Sequence, residues 1–215
     1  MSYGDHILAS GHRRGVGEFE LMLGRFLYER HFQGKAPVLD LAPGRCWFAR
    51  QNVRDIHAVD IAPELVEHYA AEGIQITEGS AYAIPHPDET FEAVFCCWLF
   101  EHLNTPDVAM REIHRVLRPG GMCFLVVPSE SLLTRGFFDD YTHVRPYTPN
   151  SLVQLAQSNG FSAPVISYLP YTRFWGRLIP ALGHERAVRW LRRADRWLRP
   201  LRIVNRNMLT LTCRR

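Results

Sequence analysis

No apolar run among the 215 residues approaches the roughly 20 needed to span a bilayer. The opening Met1-Ser2-Tyr3-Gly4-Asp5-His6 has neither the basic nor the apolar region of a secretion signal, so a cytoplasmic setting is expected. Five cysteines (Cys46, Cys96, Cys97, Cys123, Cys213) include no C-x-x-C pair, and their number is odd. That argues against a disulfide frame or a zinc site and for reduced, mostly buried thiols. No internal repeat or low-complexity tract is present. Disorder is excluded by a hydrophobic content of 47% against 22% charged residues. General nucleic-acid affinity is not implied either. Between Thr172 and Asn205, nine arginines against Glu185 and Asp195 leave +7, so the rest of the +3 chain sums to −4.

What is present alternates. Strand-like segments at Pro37–Leu41, Ile56–Asp60, Gly73–Thr77, Ala93–Trp98, Met122–Val127, Pro164–Leu169 and Met208–Cys213 are separated by helix-like ones. The helices are expected at Glu18–Phe32, Arg45–Asn52, Pro63–Glu72, Pro106–Val116 and Pro149–Asn159. Pro63, Pro106 and Pro149 sit at helix starts, where the missing N–H costs nothing, and Gly160 and Gly120-Gly121 stand where helices end. Such alternation predicts an α/β domain with a mostly parallel sheet and helices on both faces.

The most telling stretch is Val38-Leu39-Asp40-Leu41-Ala42-Pro43-Gly44, followed by Ile56-His57-Ala58-Val59-Asp60. An apolar run ends in an acid and a glycine turn, and a second acid follows about twenty positions later. That is the spacing by which a β-α-β unit grips an adenosine cofactor. Two of the three usual glycine positions hold Ala42 and Cys46. Further along come Glu78-Gly79-Ser80-Ala81, then Ile84 through Val94, Phe100-Glu101-His102-Leu103 and Val116-Leu117-Arg118-Pro119-Gly120-Gly121.

In this order the segments resemble class I S-adenosylmethionine-dependent methyltransferases of the type 11 kind, from about Pro37 to Phe161. The resemblance implies a Rossmann-like seven-stranded sheet with an antiparallel last strand, and S-adenosylmethionine as cofactor. A single methyltransferase domain over residues 1–215 is expected; residues 171–205, which intrude between the last two strand-like segments as a basic amphipathic helical insertion, lie outside the resemblance. By the same resemblance, Asp40, Ala42, Gly44, Asp60, Ile61, Ser80, Ala81 and Cys97 are expected to border the cofactor. Asp60 would accept the ribose hydroxyls, or else cap the helix beginning at Pro63. Gly44 would mark the closest backbone approach. Ile61 would pack on the adenine, with Ser80 and Ala81 at its edge. The family commonly has Asp at the Ser80 position.

The segment Asp139-Asp140-Tyr141-Thr142-His143-Val144-Arg145-Pro146-Tyr147-Thr148-Pro149 follows strand five, at the carboxyl end where sites in such sheets open. It resembles the Thr-His-x-Arg-x-Tyr-Thr-Pro stretch of a subset of these enzymes, several of which act on sugars or lipid-linked saccharides. Methylating a hydroxyl calls for a base near the acceptor oxygen, and an imidazole suits that role. His143 is the first catalytic candidate and His102 the second; the alternatives are a structural histidine and a helix-start hydrogen bond. Arg145, Tyr141 and Tyr147 are candidates for holding the acceptor, the arginine alternatively pairing with Asp139 or Asp140 and the tyrosines sealing a core edge. No metal site is expected.

From Ala187 to Leu201, Ala187, Trp190, Leu191, Ala194, Trp197, Leu198 and Leu201 share one helical face, with arginines on the other. That is the profile of an interfacial membrane helix, and contact of residues 184–201 with an anionic inner membrane face is expected. A lid or dimer helix is the second reading and RNA the third. The expected activity is O-methylation of a saccharide or lipid-linked acceptor near the membrane. The alternatives are a small metabolite, a quinone-like lipid or RNA as acceptor, or a non-catalytic scaffold of the same fold.

Overall fold

The computed structural model describes residues 3–10, 16–129, 136–169 and 208–215, together with the single residue Arg186. The expected basic insertion at 171–205 otherwise lies outside the described residues. Seven strands run β1 (Val38–Leu41), β2 (Ile56–Asp60), β3 (Ile76–Glu78), β4 (Phe91–Cys97), β5 (Leu117–Pro128), β6 (Ser162–Leu169) and β7 (Met208–Arg214). They form one sheet in the order β3-β2-β1-β4-β5-β7-β6. β1 to β5 are mutually parallel, and β7 runs antiparallel to both of its neighbours. The chain turns from one half of the sheet to the other between β1 and β4, so a crevice is expected outside the carboxyl ends of those strands.

The helices are α1 (Tyr3–Ser10), α2 (Val16–Leu27), α3 (Pro63–Ala71), α4 (Pro106–Val116) and α5 (Pro149–Ser158). Because successive side chains of a strand point to opposite faces, each central strand feeds two cores. Phe95, Cys97, Phe124 and Val126 pack with α2, α3 and the segment Cys46–Ala49. Val94, Cys96, Cys123 and Leu125 pack with α4 and α5 on the other face. Burying both faces of the parallel strands explains their nearly unbroken apolar sequence.

The structure corrects several expected boundaries. The segment Arg45–Asn52 is not a helix but a series of turns ending in one 3-10 turn at Ala49–Gln51. Cys46, at φ 52°, is in the left-handed region, which no right-handed helix can continue. Gly120 and Gly121 lie inside β5, whose first residue follows α4 directly, so they do not end the helix. The third strand begins at Ile76 rather than Gly73, after a turn in which Gly73 has φ 83°. The helix expected to reach Phe32 changes at Tyr28 into a π-helical turn. α1 was not expected at all; it packs against α3.

α5 follows directly on the His143 loop and starts in a reciprocal cap. The Thr148 hydroxyl accepts from the Ser151 amide at 3.2 Å, and the Ser151 hydroxyl accepts from the Thr148 amide at 2.9 Å. Thr148→Ala should lower unfolding free energy by about 1 kcal/mol, with Thr148→Asn largely restoring it. Urea unfolding checks this, and an unchanged midpoint in the alanine variant would rule out the cap as a contributor.

Candidate active site

Asp40 stands on β1 and is 2% exposed. Its carboxylate accepts the Ala49 amide at 3.1 Å, closing the chain from 41 to 49 into a ring around it. Within that ring Ala42, Gly44 and Cys46 all have positive φ, at 56°, 53° and 52°. The backbone therefore has the left-handed bends a glycine-rich turn would have, with two of them held by ordinary residues. Packing supplies the compensation: Trp47 and Phe48 are buried, and the Phe48 ring stacks on Phe95 at 4.1 Å. Gly44 is the bend where no atom lies within 4 Å of a Cβ, so open space is kept there.

Asp60, 4% exposed, ends β2 beside this turn. Its carboxylate accepts the Ala62 amide at 3.0 Å, and the Gly44 and Ile61 amides also bond to it. Burial raises its pKa, and these three amides pull against that rise. Ile61 follows, 67% exposed, an apolar shelf at the strand end. Ser80 and Ala81 sit after β3. The Ser80 hydroxyl accepts the Tyr82 amide at 3.1 Å within its own turn, and Ala81 packs against the α4-side core.

A cavity of about 510 Å³ opens beside the β1 turn, and Asp40, Ala42, Gly44, Cys97, His102 and His143 all line it. The remaining walls include Trp47, Phe95, Trp98, Phe137 and Met208, the Glu20–Arg45 ion pair, and Glu101, Asp140 and Thr142. Asp60, Ile61, Ser80 and Ala81 are not on these walls; they lie at the neighbouring ends of β2 and β3. The predicted cofactor residues thus divide into a turn-and-cavity set and a strand-end set, joined by the Gly44 amide bonded to Asp60.

His102 and His143 come together, their rings 4.8 Å apart. The His143 Nδ1 lies 2.7 Å from the Phe137 carbonyl. The His102 Nδ1 lies 3.2 Å from the Thr142 carbonyl and 2.9 Å from the Thr142 hydroxyl. That hydroxyl donates to Asp140 at 2.5 Å, so it meets His102 as an acceptor. Carbonyl oxygens only accept, so both Nδ1 atoms carry a proton, and in the neutral form of each ring the lone pair is on Nε2. Burial is the main reason the His102 pKa is lowered, and neighbouring His143 adds to it.

Glu101 is the residue that sequence reasoning passed over, although it precedes His102 in the quoted segment. It is 1% exposed, and its Oε2 has no hydrogen-bond partner among the described residues. Burial pushes its pKa up to about 8, with Asp140 contributing. The available signal is a carboxylic acid next to a histidine just beyond a central strand. The Glu20–Arg45 pair was not readable, since its partners are 25 positions apart.

The acceptor candidates are placed differently. Tyr147 is buried, and its hydroxyl donates to the Phe100 carbonyl at 3.3 Å, so it seals the core instead of facing the cavity. Tyr141 is 94% exposed, outside the cavity walls. Arg145 has an exposed side chain, while its amide donates to the Glu101 carbonyl at 3.1 Å. The loop therefore contributes Asp140, Thr142 and His143 to the cavity rather than its phenols or its guanidinium.

Residues 39–125 match the family model described as a methyltransferase domain. A demethylmenaquinone methyltransferase of Chlorobaculum tepidum is 24% identical over 148 residues, 58% of this chain and 61% of that protein. The chain thus spans about three fifths of that relative's length. A ubiquinone/menaquinone biosynthesis C-methyltransferase of Escherichia coli O1:K1 is 24% identical over 189 residues, 79% of this chain and 69% of that one. Among solved structures, a SAM-dependent methyltransferase from Archaeoglobus fulgidus superposes with a TM-score of 0.72 at 17% identity, covering 100% of both chains.

Asp40, like Glu101, is pushed up by burial, from 3.8 to about 8, with nearby Asp60 adding to the rise. A carboxyl raised in the folded state binds more protons folded than unfolded between those two values. The stability of the ligand-free protein should therefore fall as pH rises from about 4 to about 8. Asp40→Asn, which can keep the bond to Ala49, should flatten that decline. Urea midpoints measured across the window check this; an identical slope in the variant would show that Asp40 does not titrate there.

Proposed function

We propose that this chain is a class I S-adenosylmethionine-dependent methyltransferase that transfers a methyl group to an acceptor that has lost a hydroxyl proton in the cavity. The observation that carries the reading is the single cavity shared by the β1 turn and the Glu101–His102–His143 cluster. The open space at Gly44 and the buried acids Asp40 and Asp60 fit the cofactor. In this reading Asp60 holds the ribose hydroxyls, Ile61 underlies the adenine, and Ser80 and Ala81 border it. Asp40 and the Glu20–Arg45 pair face the amino-acid end, where ammonium and carboxylate both need partners. When bound, S-adenosylmethionine supplies a methyl group on a positively charged sulfur, ready for attack by a nucleophile in line with it.

The free Nε2 of His143 is the first proton acceptor and that of His102 the second. Both rings are held in one tautomer by carbonyls, which fixes where the lone pairs point. The aromatic walls, Trp47, Phe95, Trp98 and Phe137, favour a flat, apolar acceptor. A phenolic ring suits them: removing its proton makes both the oxygen and the adjacent ring carbons nucleophilic. The names of the quinone-pathway relatives support the same class. A hydroxyl of a lipid-linked saccharide is the second reading, favoured by the polar rim of Asp140 and Thr142. In either case the arginine–tryptophan arm, outside the described residues, is the segment proposed to seat the protein on an anionic bilayer.

Transfer of labelled methyl from S-adenosylmethionine to quinol precursors and to lipid-linked saccharides tests the reading. The quinol precursors should be methylated and the saccharides not. His143→Ala should cost roughly 10²–10⁴-fold in turnover, while Asp60→Ala should weaken donor binding with no such loss once the donor saturates. Full turnover in His143→Ala on the true acceptor would remove the histidine from the chemistry.

A further inference from the structure

We propose that Glu101, His102 and His143 form a binding site for a divalent transition-metal cation of zinc-like preference, with one ligand position left open toward the cavity. The inference rests on the cavity being the methyl-transfer site. It goes beyond imidazole base chemistry by placing a cation where the proton acceptor was drawn.

Three observations carry it. One ligand-capable atom from each of the three residues lies within 4.8 Å of the other two. Ligands at the bond lengths of a tetrahedral zinc site are about 3.3 Å apart, so each pair needs to close by at most about 1.5 Å. The two imidazoles are oriented as metal-binding histidines are: the Nδ1 of each donates to a backbone carbonyl, leaving Nε2 as the only free ligand atom. The third observation is independent of both. Glu101 is 1% exposed, its Oε2 has no partner among the described residues, and it lines the same cavity. A buried carboxyl oxygen left without a donor costs free energy unless something occupies it, and a cation meets that need better than a proton does.

The surroundings favour positive charge. Asp140 lies 3.9 Å from the His143 Nε2, Asp40 faces the cavity, and Arg45 is already paired with Glu20. Two imidazoles and one carboxylate are the donor set of open, catalytic zinc sites rather than of closed structural ones, and they disfavour magnesium or calcium, which seek oxygen alone. With the cation in place, the acceptor's hydroxyl oxygen takes the open position and becomes more acidic. Its proton leaves toward Asp140 and then solvent. The new bond forms from the deprotonated acceptor to the methyl carbon while the carbon–sulfur bond breaks, its electron pair staying on sulfur. The histidines then serve as ligands through the same nitrogens, so His143→Ala lowers turnover in both schemes and only metal binding separates them.

The test is titration of the full-length, chelator-stripped protein with Co²⁺, read by absorption, and with Zn²⁺ against a chromophoric chelator. Expected is one equivalent of Co²⁺ giving visible bands of a four- or five-coordinate site. The near-ultraviolet thiolate band should be missing, because Cys97, the cysteine on these walls, is not a ligand. Glu101→Gln and His143→Ala should each weaken binding by at least about a hundredfold. Cobalt that stays six-coordinate, a thiolate band, or affinity unchanged in both variants would overturn the site. If a variant does not fold, the wild-type spectrum decides alone. Donor binding, measured by calorimetry on the stripped protein, is read separately. A protein that binds donor but fails the cobalt and zinc titrations overturns only this inference, whereas one that binds metal but no donor overturns the methyl-transfer reading.

Discussion

The bond from the Ala49 amide to the buried Asp40 carboxylate is the constraint on which the rest of the site depends. It brings the chain back to the end of β1 within eight residues of leaving it, and that forces three left-handed bends at Ala42, Gly44 and Cys46. For an ordinary residue each such bend costs roughly 1–2 kcal/mol. The cost is offset by burying Trp47 and Phe48 among Phe32, Phe95 and Phe124. Loop and core are therefore one unit, and Ala42 and Cys46 hold left-handed bends that glycine would adopt without strain. Gly44 remains where space must stay open.

Around that turn the protein gathers carboxyl groups that water would keep charged. Asp40, Asp60 and Glu101 are all nearly fully buried, and burial raises the pKa of each. Asp60 adds to the rise at Asp40, and Asp140 to that at Glu101. A cationic ligand changes the balance by stabilising the charged forms, so ligand binding and proton release are coupled here by geometry. In the proposed reading the donor's positive sulfur and a metal cation each face carboxyl groups of this kind, the cation beside the paired imidazoles of His102 and His143.

The positions of the strands along the chain and the two acids near strand ends were readable because the parallel sheet imposes continuous apolar runs and fixed turns, and both leave local signatures. The start of α5 at Pro149 was readable because proline is tolerated at a helix's first position, whereas the lateral order of the strands and the Thr148 cap emerge only in the structure. What escaped reading depends on contacts between distant positions. Arg45–Asn52 has helix-compatible residues, yet tertiary packing of Trp47 and Phe48 overrides that preference. Tyr147 reads as a ligand contact in a loop rich in polar residues, but its burial depends on Phe100, 47 positions away. Glu101 could be seen in the sequence, while its unpartnered oxygen could not. The arrangement of His102 beside His143 required the Thr142 and Phe137 carbonyls, which no spacing reveals.

A co-crystal structure with S-adenosylhomocysteine tests the central claim most directly. The account predicts the ribose hydroxyls on Asp60, the backbone of Gly44 against the ligand, and the sulfur inside the cavity facing Glu101, His102 and His143. A ligand bound elsewhere, or one whose sulfur points away from that cluster, would contradict it.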